Sequence, residues 1–147
     1  MKLFWELGGN EYKIKAQIYF KLNSHMINEI RYIFKMRIGC DGSRETLYMR
    51  KLITQERIRC HICGMIESRR HLLEQCDLYQ HRRRTLITKL NAIPDMRAFL
   101  QEHSIIEVCL YSSRFQQHLN KLEIETQQKT DRIIKEYIGT IRRARDC

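Results

Sequence analysis

Cys60-His-Ile-Cys63, followed by His71-Leu-Leu-Glu-Gln-Cys76, places three thiols and an imidazole within seventeen residues, in the order C-x2-C-x7-H-x4-C. Two cysteines separated by two residues make a tight turn whose sulfurs reach one ion, and such a donor set is of the borderline-soft kind that zinc prefers. The alternative is that the cysteines are small buried apolar residues and His71 an ordinary surface histidine. Leu-Leu-Glu-Gln are helix formers, yet five steps along a regular α-helix rotate a side chain by about 140°. His71 and Cys76 therefore converge only where the helix is distorted or where one of them lies at its end. His61 sits between the first two cysteines and points away from an ion that both hold. His81 follows Cys76 by five residues, so spacing alone leaves both His71 and His81 eligible as fourth ligand. Four protein donors around a tetrahedral ion leave no position for water or substrate, which makes the expected zinc structural and not hydrolytic. Its binding free energy, on the order of 10 kcal/mol, is then folding free energy for this segment, and loss of any ligand should unfold it.

The rest of the chain reads as mainly α, several helices around a small knuckle, because one proline, Pro94, and six glycines leave few breakers. Apolar residues recur at helical steps from Asn10 to Arg37 (Tyr12, Tyr19, Leu22, Met26, Ile30, Ile33, Phe34), with a stop near Gly39. Ser43 is placed to cap a short helix through Leu47, Met49 and Ile53. A helix is expected from Arg69 to Leu90, then a break at Asn91 to Pro94, then Asp95 to Glu102 and Ser104 to Tyr111. Ser104 with Glu107 three residues on forms a capping-box pattern. Arg114 to Arg145 carries Phe115, Leu119, Leu122, Ile133, Tyr137 and Ile141 on one stripe, with a polar middle, Glu125 to Lys129, expected to bend or fray. The expected organisation is an N-terminal helical segment, 1–42, a zinc-knuckle domain with a basic helix, 43–102, and a C-terminal helical extension, 103–147.

Charge points to a partner. There are 27 Lys and Arg against 17 Asp and Glu, a net +10 with neutral histidines, and a surplus of this size suits a polyanion. Between Arg44 and Arg84 ten basic residues face five acidic ones, and Arg50, Lys51, Arg57, Arg59, Arg69, Arg70, Arg82, Arg83 and Arg84 surround the proposed ligands. The planar guanidinium fork makes paired bonds to phosphate, and Tyr48, Tyr79 and His61 are candidates to stack on unpaired bases. Arg142-Arg-Ala-Arg145 is a candidate second contact or nuclear import signal. No apolar run approaches the roughly 20 residues of a spanning helix, and Met1-Lys-Leu-Phe-Trp-Glu-Leu lacks a signal peptide's apolar segment. An intracellular, nuclear protein is expected, with no membrane and no small-molecule substrate. Cys40, Cys109 and Cys147 are scattered, which argues against a disulfide framework.

Arg37-Ile-Gly39, Leu47-Tyr48-Met-Arg50-Lys, Ile58-Arg-Cys60-His-Ile-Cys63-Gly64, Glu67, His71-Leu72-Leu73-Glu-Gln-Cys76 and Arg82-Arg-Arg-Thr-Leu86 together resemble the region after the polymerase domain in non-LTR retrotransposon reverse transcriptases of the Jockey type. The likeness covers about Met36 to Leu100, and Ser113-Arg114-Phe115 continues it. It departs at Cys40, where the family often has histidine, and at Asp77, where proline usually follows the last cysteine. The resemblance implies a CCHC zinc knuckle ligated by Cys60, Cys63, His71 and Cys76. It also implies a role in gripping template RNA, single-stranded DNA or target DNA beside the polymerase domain. No Tyr-x-Asp-Asp, H-x-x-E-H or Ser/His/Asp grouping is present, so no enzymatic activity is expected of this chain. The rival expectation is a structural module that docks on the polymerase or on its own kind.

Overall fold

The computed structural model describes residues 17–145. In chain order its helices are α1 (Ile18–Lys21), α2 (Ile27–Arg37), α3 (Arg44–Met49), α4 (Gln80–Asn91), α5 (Pro94–Glu102), α6 (Ile105–Cys109), α7 (Ser113–Asn120) and α8 (Ile124–Arg145). The fold is mainly helical as expected, with no strand among the described residues beyond a single antiparallel bridge between Arg59 and Ile66.

The long helix α8 is the axis. Its apolar stripe buries Ile133, Ile134, Tyr137, Ile138 and Ile141 between α2, which contributes Ile30, Ile33 and Met36, and α4, which contributes Leu86 and Leu90. Phe115 and Leu119 of α7, Met96 and Phe99 of α5, and the candidate ligands Cys60 and Cys76 join the same core. The knuckle is thus attached to the helices through shared packing, with residues from all three expected segments in one cluster.

Several local expectations hold. Gly39 at φ +71° ends α2, with the Cys40 N–H on the Lys35 carbonyl at 2.7 Å and the Gly39 N–H on Met36 at 3.3 Å, the two bonds of a Schellman stop. Ser43 caps α3 by accepting the Thr46 N–H. The helix expected from Asp95 begins one residue earlier, at Pro94, and Ser104 and Glu107 form a capping box at α6.

Others do not. The part of the first helix before Gln17, with Tyr12, lies outside the described residues, and the remainder is broken between Lys21 and Ile27. Asn23 sits at φ +41° there, a conformation asparagine tolerates. Its amide donates to the Gln128 carbonyl and to Asp131, both at 2.8 Å. The buried Lys135 ammonium takes the Tyr19 carbonyl at 2.9 Å and the Leu22 carbonyl, and pairs with Asp131 at 2.8 Å. Asp131 also accepts the buried Tyr111 hydroxyl. Burial pulls Lys135 below its ordinary pKa and pushes Asp131 above its own, so the hydrogen bonds must hold the charges. Phe34 faces outward. Helix α3 stops at Met49, short of Ile53, and none of its residues is buried. The C-terminal helix breaks between Asn120 and Ile124, and Glu125 to Lys129 runs as regular helix inside α8. Glu, Gln and Lys are good helix formers, so polarity there was not a breaking signal.

Candidate metal centre

The first half of the site is a short hairpin. The Cys60 N–H bonds the Met65 carbonyl at 2.7 Å and the Glu67 N–H bonds Ile58 at 3.0 Å, while Gly64 turns the chain at φ +73°. Cys60 opens this turn and Cys63 lies within it, and the Ile62 N–H points at the Cys60 sulfur at 3.5 Å. The second half begins where Ser68 accepts the His71 N–H at 3.0 Å, the capping bond of the turn that starts at Arg69.

The helix then widens. His71–Gln75 forms a single π turn, closed by the Cys76 N–H on the His71 carbonyl at 2.7 Å. That i to i+5 bond supplies the distortion needed for His71 and Cys76 to face one ion. The carbonyls of the turn are held from outside: Arg83 donates to Cys76 at 3.0 Å and to Leu73 at 3.5 Å, and the Tyr137 hydroxyl donates to Leu73 at 2.8 Å. Glu74, inside the turn, accepts the Ile106 N–H at 2.9 Å and ties α6 to it. Glu67 accepts Arg145 at 2.7 Å, and Arg145 also reaches the Gly42 carbonyl, so the end of α8 braces the hairpin.

Cys60, Cys63, His71 and Cys76 therefore meet, with every donor atom within 4.8 Å of the others. The Cys60 and Cys76 sulfurs are 3.9 Å apart, and the Cys63 sulfur lies 3.3 Å from His71 Nε2. His71 is fully buried, and its Nδ1 has no protein hydrogen-bond partner. Burial lowers the His71 pKa, against the opposing pull of Glu67, and so favours the neutral ring that ligates. Burial raises the Cys60 thiol, but the Ile62 and Cys63 N–H groups together with the Cys76 and Cys63 side chains outweigh it and leave it lower than usual. Cys76 is pushed up to about 11 by burial, with the Cys60 sulfur adding to the rise. Two adjacent thiolates of this kind are favoured when a cation neutralises them. The donor chemistry and spacing fit a metal ion with four protein ligands.

The other candidates fall into place around this centre. His81 is exposed and outside the cluster, and His61 points away from it toward Arg44. Arg69 and Arg83 turn inward, Arg69 to the Met36 carbonyl and Arg83 to the π turn. Arg70 is exposed and paired with Glu74 at 3.5 Å. Arg50, Lys51, Arg57, Arg59, Arg82 and Arg84 are exposed, and none forms an ion pair among the described residues. Tyr79 is buried in the core and cannot stack on a base, whereas Tyr48 is accessible. Arg142 and Arg145 are engaged with Glu29 and Glu67. Sequence reasoning passed over Ser68, whose position three residues before His71 was a capping signal, and the roles of Tyr137 and Arg83, which no local signal carried. No helix among the described residues is long and apolar enough to cross a membrane. Comparison with family models, curated proteins and solved structures returns no match.

Proposed function

We propose that this chain is a zinc-dependent nucleic-acid-binding module, related to the C-terminal knuckle of non-LTR retrotransposon reverse transcriptases and acting beside a polymerase on template RNA or target DNA in the nucleus. Zinc is favoured by the donors: bonds of about 2.3 Å to sulfur and about 2.0 Å to nitrogen in a tetrahedron put two sulfurs about 3.8 Å apart and sulfur and nitrogen about 3.5 Å apart. The separations of 3.9 Å and 3.3 Å lie close to those values. The observation that carries the nucleic-acid reading is the set of six exposed cations without acidic partners, Arg50, Lys51, Arg57, Arg59, Arg82 and Arg84, held on and beside the knuckle. Such cations release counterions from a phosphate backbone.

Fluorescence anisotropy with single-stranded RNA over a salt series tests this. Affinity should fall linearly on logarithmic axes, and Arg82→Ala with Arg84→Ala should lower the slope by about 0.7 for each phosphate that is no longer neutralised. Salt-insensitive or absent binding refutes it. The second reading, docking on a polymerase or a second copy, is favoured by one observation, the exposure of Met49 and Leu52 at the end of α3.

A further inference from the structure

The turn between Cys60 and Ile66 carries three outward apolar side chains within five residues: Ile62, 58% exposed, Met65, 49%, and Ile66, 48%. Single exposed apolar residues on a surface need no explanation, but three within five residues of one turn do. The turn is also rigid. The metal ligands Cys60 and Cys63 lie inside it, the Met65 carbonyl is bonded to Cys60, and Arg59 reaches across to the Gly64 carbonyl at 3.0 Å. Arg59 pairs with Ile66 across the bridge, so a guanidinium and an apolar side chain share one face. His61 and Arg44 are joined on the flank.

Resting on the nucleic-acid reading above, we propose that this turn is a docking tip for unpaired bases, with Ile62, Met65 and Ile66 against the base faces and Arg59 on the adjoining phosphate. Area and charge decide the occupant. Three side chains fall far short of the about 800 Å² per partner that a stable protein interface buries, whereas one or two bases are of matching size. The cations around the tip suit a phosphodiester strand. A duplex offers those cations the same phosphates but keeps its base faces stacked, so only a single strand, RNA or DNA, engages both features. Holding the tip still before binding reduces the ordering cost of that contact.

The test uses the full zinc-loaded chain with a short mixed-sequence single-stranded RNA, the same sequence as single-stranded DNA, and its blunt duplex. One strand of each carries a fluorescent base analogue. The chain should bind both single strands more tightly than the duplex. Ile62→Ser, Met65→Ser and Ile66→Ser together should reduce single-strand affinity about tenfold, the scale of one base contact, while leaving duplex affinity, salt slope and melting temperature unchanged. The analogue's emission should shift on binding the parent chain and not the variant; Ile62→Ser alone should act in the same direction. Equal affinity for strand and duplex, or a triple variant that keeps the preference, overturns the tip and leaves the nucleic-acid reading standing. Absence of all binding overturns both. Loss of binding to phosphatidylcholine vesicles in the triple variant, with single-strand affinity unchanged, overturns the tip in favour of a lipid surface.

Discussion

Arg83 and its neighbours Arg82 and Arg84 look alike in sequence and should behave oppositely on mutation. Arg83→Met removes a charge-assisted bond to the Cys76 carbonyl at 3.0 Å and a marginal one to Leu73 at 3.5 Å. Both carbonyls keep another partner, the Tyr79 N–H at 3.2 Å and the Tyr137 hydroxyl at 2.8 Å, so the loss is one good bond to a charged donor, about 1.5–2 kcal/mol. Methionine preserves most of the stem's packing. For a chain of this size about 1 kcal/mol moves the melting temperature by about 3–4 °C, so a fall of about 5–8 °C is expected. Because these carbonyls lie within and at the end of the π turn that brings His71 and Cys76 together, metal affinity should also fall, by about tenfold or more. Arg82 and Arg84 are exposed and make no hydrogen bond or ion pair with the described residues, so Arg82→Met and Arg84→Met should change stability by less than about 0.5 kcal/mol while weakening RNA binding. The assay is calorimetric unfolding of the metal-loaded proteins alongside chelator competition. If Arg83→Met melts with the parent chain and competes equally for metal, the proposed bracing of the π turn is wrong.

Two further outcomes follow from the same geometry. Lys135→Met leaves Asp131 buried without its counter-charge and strips the ammonium from the Tyr19 and Leu22 carbonyls, which should cost about 3–5 kcal/mol and be read as a lowered urea midpoint. Acidification should unfold the knuckle first: His71 has a folded pKa below its ordinary 6.5, so below that pH the unfolded chain takes up a proton that the folded one refuses. Stability present above pH 6.5 is lost as pH falls, and protonation of the ligand thiolates adds in the same direction. Visible d–d bands of the cobalt(II)-substituted chain that stay constant down to about pH 4, well past the ordinary histidine range, would contradict this.

What could be read from sequence was whatever a local spacing determines. The Cys60, Cys63, His71 and Cys76 cluster, the Gly39 stop and the Ser43 and Ser104 caps are each set by residues close together in the chain. The need for a distorted helix between His71 and Cys76 followed from rotation per residue, although its form as a π turn rests on Arg83 and Tyr137, which lie seven and sixty-four residues from their acceptors. The break at Asn23 was hidden for the same reason: Gln128 and Asp131, which accept from Asn23, and Lys135, which donates to the Tyr19 and Leu22 carbonyls, are more than a hundred residues away. The arginines show the limit most plainly, since the same residue type three times in a row serves solvent, a buried carbonyl and solvent again. Tyr79 is another case, apolar body and polar tip alike being compatible with core or surface until its neighbours are known.

The most direct measurement is metal content with X-ray absorption on the purified chain, alongside Cys60→Ser and His71→Ala. The predicted result is one zinc per chain with three sulfur ligands, one nitrogen and no water, and loss of zinc together with knuckle structure in both variants. A folded parent chain that carries no zinc, or a coordination sphere containing water, would contradict it.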